Sequence, residues 1–580
     1  MTTPSLTSLP QQLRQFMSLS GQAVILLCIA LVLSHYAASL FQPVRWPTKI
    51  FFFSTLAIAL VSQKWSTLFV LFSLPLLPEL HIQAQYILKP AVPYFVAHPG
   101  MDMIVGLCVG NWIKLSIFEK KKLSTIFTPP PWPLGLLLLM LTGSAALAIA
   151  RNLWQSASDF NLIDLLHHAL RFKLLDRSSD YYPIADLLIY GIAVGFIVFL
   201  LDVLRTQQNK DQFIFEPILI ALFISAILGI IQALTGFGLP ENTSGYRPDF
   251  WGFGAHAFQP DIHAFAALML IGAVGLFGFV FSGNSNNRLR KFSALIWILS
   301  WCALVLAKSK ASFIFAGVAT LFVIGWYVLK RKLGYRVWLV IFAVVLSSCL
   351  IIVFTPQFSW VVSGFKRLFI TDFTNFELLN SMSRYRLELH GAALRMGLSF
   401  PVFGIGLGEF FRLSSILEFS HSPMMVNTGG ENAHNYFLQT FAEVGLIGLA
   451  CFALVFITPA LRCTQRKTLG PAAFAIGAIF LGNLYSHSLI IRENLLLLAV
   501  FIALLYSYSQ FSEPTAVTSA TATSARKQVS LSWVKISLAL ALALVVCVCV
   551  SFFLWREIKH SFERLPFEYG RKVVKQTKLP

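Results

Sequence analysis

Charge is scarce in this chain: only 12% of its 580 residues are Asp, Glu, Lys or Arg, about half the share of a soluble globular domain. With 56% hydrophobic residues and a mean hydropathy of +0.71, that scarcity excludes a single water-soluble core. Lipid must be the solvent for much of the surface. Acidic residues are scarcer still, 26 against 45 basic ones, for a net charge of +19. The basic excess lies in short clusters between apolar runs and forms no basic soluble domain, so nucleic acid is excluded as a partner. Of the eight cysteines, all lie inside apolar runs except Cys463, which ends one. With no CxxC and no Cys/His cluster, neither a disulfide framework nor a zinc site is expected. No small-residue cleavage site follows the first apolar run, so that run reads as a retained anchor. No repeat period stands out.

What is abundant is long apolar stretches. A spanning helix needs about 20 apolar residues, and the pattern predicts an all-α polytopic membrane protein with about fourteen transmembrane helices, in the range of roughly 12–15. The short run at 66–80 is the least certain to cross, whereas 470–490 and 494–511 read as two full spans. The expected organisation is N-terminal helices over 1–240 and central helices over 241–354. A large, partly helical loop over 355–440 follows, then C-terminal helices over 441–511. A Ser/Thr/Ala-rich linker at 512–531 leads to a last helix and basic tail at 532–580. Strict alternation puts Lys120 to Lys122, Arg205 to Lys210, Arg288 to Lys291, Lys330 to Lys332 and Arg462 to Lys467 on one side. By the positive-inside rule that side is the cytoplasm; the basic tail after Trp555 falls on the other side and breaks the rule. The segment 161–175, with Leu162, Leu165, Leu166 and Leu170, reads as an amphipathic helix on the outer membrane surface or as a solvated connector.

Polar chemistry concentrates in the large outer loop. Arg384 to Met396 reads as a helix on which Arg386 and His390, like Arg384 and Glu388, are four apart and share a face. Pro401 stops it, and Gly404, Gly406 and Gly408 follow. With no strand–helix unit around them, the glycines favour a tight loop with close backbone approach over a phosphate cradle. His434 then opens a polar run that feeds into a spanning helix, on which Asn435, Gln439 and Glu443 form one ridge. Ionisable groups at that depth are functional candidates; a capping histidine and a polar helix–helix seam is the plainer alternative.

These residues resemble the O-antigen ligase and polymerase superfamily of bacterial lipid-linked glycan ligases, polymerases and protein O-oligosaccharyltransferases. His434-Asn-x-Phe-Leu-x-x-x-x-Glu443-x-Gly445 is similar to the family's His-Asn motif entering a transmembrane helix. Arg386-Leu-Glu-Leu-His390, followed by Pro401-x-Phe-Gly404-x-Gly406-x-Gly408, looks like its Arg-x-x-x-Trp and glycine run, with His390 for Trp. Arg247 with Gln259-Pro260-Asp261 resembles its Arg and Pro-Asn, with Asp261 for Asn, and Lys310 stands where the family has Arg. The resemblance covers about 240 to 450.

The resemblance implies a GT-C-like glycosyltransferase in the bacterial inner membrane, with its site on the periplasmic face. An undecaprenyl-diphosphate-linked glycan would be transferred to an acceptor hydroxyl, on lipid A–core for a ligase, on another lipid-linked glycan for a polymerase, or on protein. Arg386, Arg247 and Lys310 would bind the diphosphate and His434 would act as general base or orient the donor. Asn435, Gln439, Glu443, Arg384, His390 and Asp261 would support them. No cofactor and no metal is implied, since Asp372, Glu377, Glu388, Glu409, Glu418 and Glu431 are scattered without ligand spacing. Membrane-interface anchoring is the plainer role for each cation. From other classes, a transporter or flippase and a non-catalytic envelope scaffold remain open.

Overall fold

The computed structural model describes residues 11–40, 50–78, 99–121, 128–155, 180–239, 254–281, 287–331, 375, 378–380, 383, 385–416, 418–420, 430–465 and 470–511. Among these residues there is no strand. Among the described residues nine helices are long and apolar enough to cross a membrane, in keeping with a multi-pass membrane protein. Arg247, Arg384, the segment 161–175, the linker at 512–531 and the tail at 532–580 lie outside the described residues.

In chain order the helices are α1 (Gln11–Leu40), α2 (Ile50–Val61), α3 (Gln63–Ser73), α4 (Pro99–Ile113), α5 (Trp132–Gln155), α6 (Pro183–Thr206), α7 (Lys210–Thr235) and α8 (Ile262–Leu270). They continue with α9 (Phe277–Phe281), α10 (Asn287–Leu306), α11 (Lys310–Arg331), α12 (Arg386–Ser399), α13 (Phe410–Leu413), α14 (Tyr436–Gln465), α15 (Pro471–Asn483) and α16 (Arg492–Phe511). A π turn at Ile271–Gly275 joins α8 to α9. One apolar core runs through the bundle, from Ile25 on α1 to Tyr506 on α16. A smaller core under the loop gathers Met396, Phe400, Phe410 and Phe419. In hydrocarbon only internally bonded backbone survives, so apolar runs of this length become helices.

The helix directions separate the two ends of the bundle. Lys120, Lys121, Arg205, Lys210, Arg288, Arg290, Lys291 and Arg462 lie at one end, and α8, α12, α14 and α16 begin at the other. Residues 66–73 of the run at 66–80 belong to α3, which starts after a break at Ser62, whose hydroxyl accepts from Trp65 N. Its far end reaches the site level, where Gln259 Nε2 donates to Pro75 O at 3.1 Å.

Three boundaries depart from the sequence expectation. The run 470–490 is not one helix: α15 stops at Asn483, whose Nδ2 donates to Ser488 Oγ at 2.9 Å and whose Oδ1 accepts from Leu489 N at 2.9 Å. Apolar composition hid this polar break. The loop helix starts at Arg386 after a left-handed Tyr385 (φ 64), and Glu388 pairs with Arg395 at 2.6 Å. Finally, α14 begins at Tyr436, with Asn435 Oδ1 accepting from Phe437 N and Leu438 N at 3.1 and 3.0 Å. Asn435 is thus the helix cap, and His434 sits just outside the first turn.

Candidate functional site

The site is scaffolded by a helix broken on purpose. Gly445 in α14 has φ 65 and ψ −169, which interrupts the helical hydrogen bonds. The glycine loop repairs the break: Ile405 N and Gly406 N donate to Ala442 O and Glu443 O at 2.8 and 2.9 Å, and Leu446 N donates to Pro401 O at 2.8 Å. A Cβ on Gly445 would lie 2.3 Å from Val402 O, and one on Gly404 (φ 69) 2.4 Å from the Glu443 carbonyl carbon. The glycines are therefore a backbone contact that no side chain fits. Gly408 N also donates to Glu443 Oε2 at 3.2 Å, and Gln439 Nε2 to Glu443 Oε1 at 3.0 Å. The ridge of Gln439 and Glu443 is thereby tied to the loop.

A buried ionic knot fastens the other side of the loop. Arg151, fully buried at the end of α5, donates to Ile405 O and lies 3.5 Å from Glu409. Asn152 Nδ2 donates to Glu409 Oε1 at 2.7 Å, and Arg412 Nε to Glu409 Oε2 at 2.8 Å. A buried carboxylate so surrounded holds geometry more than it adds stability. Neither Arg151 nor Glu409 is singled out by spacing, and the two lie far apart in sequence.

Around this frame a cationic and imidazole cluster assembles from five chain regions. Arg386, at the first turn of α12, has its Nη2 3.0 Å from His263 Nε2 and donates from Nη1 to Tyr485 O at 3.2 Å. His263 Nδ1 is 3.2 Å from Ser309 Oγ, which bonds Ser312 Oγ at 2.7 Å; the Tyr485 hydroxyl donates to Ser312. Lys310, the residue after Ser309, opens α11 with an exposed side chain. His434 Nδ1 lies 3.1 Å from His487 Nδ1, and His487 Nε2 lies 3.7 Å from Asp261 Oδ2. Asp261 also caps α8, its Oδ1 accepting from His263 N and Ala264 N at 2.7 and 2.9 Å. Among the described residues, the non-glycine residues with positive φ are Lys120, Ala257, Lys308, Tyr385 and His434. The last three sit in or beside this cluster, where stored backbone strain is most often found.

The electrostatics follow from the crowding. Burial first, then the potential of His487, Arg386, His263 and His390, pushes the His434 imidazole down to about 2. Burial likewise lowers His390, against a hydrogen bond to the His434 backbone; its Nε2 is buried without a partner. At neutral pH His434 is therefore uncharged. The carboxylate beside His487 Nε2 favours a proton on that nitrogen, which leaves His487 Nδ1 to accept from His434 Nδ1. The bare nitrogen of His434 is then Nε2.

The structure thus brings His434, His390, Arg386 and Asp261 into one region, with Lys310 next to Ser309 at its rim. Asn435 is tied in through its bond to Leu484 O at 2.8 Å. Sequence reasoning missed His263 and His487. His263 stood two residues beyond Asp261, and His487 was flanked by Ser486 and Ser488 within an apolar run; those polar interruptions were the available signal. A cavity of about 510 Å³ opens beside His487, lined by Tyr182, Asp186, Tyr190, Gln439, Glu443 and Arg492 among others.

No curated protein matches the chain. Residues 294–453, the stretch that carries Lys310, Arg386, His390 and His434, match the family model described as O-Antigen ligase, which supports the resemblance to the O-antigen ligase/polymerase superfamily.

Proposed function

We propose that this protein transfers a glycan from an undecaprenyl-diphosphate-linked donor to an acceptor hydroxyl, as an O-antigen ligase acting on lipid A–core, without a metal. The observation that carries the reading is the convergence of Arg386, His263, His434 and His487 on one spot at the end of the bundle opposite the basic clusters. By the positive-inside rule that end is periplasmic in an inner-membrane protein. The proposed architecture is GT-C-like, with about fourteen spanning helices.

The chemistry asks for little beyond positioning and charge. The donor is already activated, and negative charge grows on the leaving diphosphate, so fixed cations aimed there lower the barrier. Arg386 offers the planar, permanently charged fork suited to phosphate; Lys310 and Arg247 add charge in the proposal. The acceptor oxygen bonds the anomeric carbon, the anomeric C–O bond to the diphosphate breaks, and the hydroxyl proton passes to His434 Nε2. The potential that keeps His434 neutral reverses once the diphosphate is seated, so the imidazole becomes basic when it is needed.

Purified protein in nanodiscs, supplied with lipid-linked glycan and lipid A–core, tests the reading: Arg386→Ala and His434→Ala should abolish transfer while the protein still folds. Undiminished transfer by both variants would overturn it. A polymerase of the same superfamily shares the donor chemistry. In a deletion strain, single repeats on the core would identify a polymerase, and bare core with accumulated lipid-linked chains a ligase.

A further inference from the structure

The cavity beside His487 has a chemistry unlike the cluster it adjoins. Of the clustered groups it shares only His487; Arg386, His263, His390 and Lys310 do not line it. Among the described residues its walls carry the carboxyl groups of Asp186, Glu431, Glu443 and Glu493, the phenols of Tyr182, Tyr190 and Tyr436, and a single permanent cation, Arg492. The Tyr190 and Tyr436 hydroxyls bond each other across it. Its volume of about 510 Å³ falls within the roughly 300–1,000 Å³ of small-molecule sites.

Resting on the transfer reading above, we infer that this cavity is the acceptor subsite and that it takes an uncharged sugar. Carboxyl, phenol and amide groups match the hydroxyls of a sugar ring, and tyrosine faces pack its apolar side. A phosphate there would face several carboxyl groups with one arginine to hold it, and like charges at that range reject a ligand. The cavity adjoins the base through one residue: His487 lines it and contacts His434, while neither His434 nor Arg386 lines it. A sugar hydroxyl held at its His487 end lies beside the imidazole pair. The cluster thus receives the phosphates and the cavity the acceptor ring.

The test uses the full-length chain in nanodiscs and ligand-observed NMR with four probes: a neutral methyl hexoside, its 6-phosphate, inorganic pyrophosphate and a short-prenyl diphosphosugar. The neutral hexoside should bind saturably, and its 6-phosphate at least about tenfold more weakly, the size of one lost charged contact. Thr440→Trp, which fills the cavity, and the isosteric Asp186→Asn should each weaken hexoside binding at least about tenfold yet leave pyrophosphate binding intact. Pyrophosphate retention shows that each variant is folded. The prenyl diphosphosugar should bind together with the hexoside; displacement would assign the cavity to the donor's own sugar and overturn the inference. So would absence of hexoside binding, equal binding of the 6-phosphate, or hexoside binding unaffected by both variants. Pyrophosphate binding that is indifferent to Arg386→Ala counts instead against the transfer reading.

Discussion

His434 and His487, 53 positions apart in sequence, face each other Nδ1 to Nδ1 at 3.1 Å. One of the two nitrogens must carry the proton and the other must accept it. Asp261, 3.7 Å from the far nitrogen of His487, decides the direction and leaves His434 Nε2 bare.

His487→Ala should therefore reduce transfer by removing the partner that fixes the His434 tautomer. We expect a loss of about 10- to 100-fold in kcat, below the roughly 100- to 10,000-fold that a general acid or base itself contributes, with little change in donor KM. His487→Gln, whose amide oxygen can accept from His434, should recover part of that loss. Equal activity of wild type and His487→Ala would refute the tautomer argument.

Asp261 has two jobs that separate by substitution. Asp261→Asn keeps an oxygen for the α8 cap and should leave stability nearly unchanged while lowering kcat. Asp261→Ala also loses the cap, at a further cost of about 1 kcal/mol in stability. Thermal unfolding and kinetics on the two variants check the split; identical unfolding would contradict the cap assignment.

Stability should fall in acid, and the sign can be worked out. In the unfolded chain His434 takes up its proton near 6.5, but in the folded chain only near 2. Between those values the unfolded state binds more protons, so stability is complete above about 6.5 and declines as pH falls. His390, also lowered by burial, adds to the slope. Melting curves from pH 7.5 to 5 should show a falling Tm, a shallower fall in His434→Ala, and partial reversal by pyrophosphate. A pH-independent Tm in the wild type would rule this out.

The loop knot should be the most fragile point outside the site. Glu409→Ala leaves Arg151 buried without its carboxylate, and such a loss costs about 3–5 kcal/mol. Gly445→Ala places a Cβ 2.3 Å from Val402 O at a positive φ and should cost at least about 1–3 kcal/mol from backbone strain alone. Both should lower Tm and expose the 401–408 loop to proteolysis; protease patterns like the wild type's would contradict the scaffold role.

Much of this was legible in sequence because it is local. The apolar runs gave the helical class, and the spacing of Gln439 and Glu443 on one ridge followed from helix geometry, whereas Asn435, expected on that ridge, is the cap before it. The glycine run read as a close backbone contact, and its partner Gly445 stood at the end of the His434 motif. What was not legible is long-range pairing. Nothing in the chain around Arg151 names Glu409, and nothing around His434 names His487. The break after Asn483 escaped because hydropathy averages over the polar residues that make it. Arg247 and Arg384, prominent in sequence, lie outside the described residues.

The contacts made by the segment between α15 and α16 have a bearing on biogenesis. His487 meets His434, Leu484 receives the Asn435 amide, and Tyr485 receives Arg386. All of these arrive only after most of the chain has left the ribosome. A nascent chain stopped before residue 484 can insert its earlier helices, yet it holds neither the imidazole pair nor the seat of the arginine. Until that segment is made, the chain lacks the arrangement on which the proposed transfer rests.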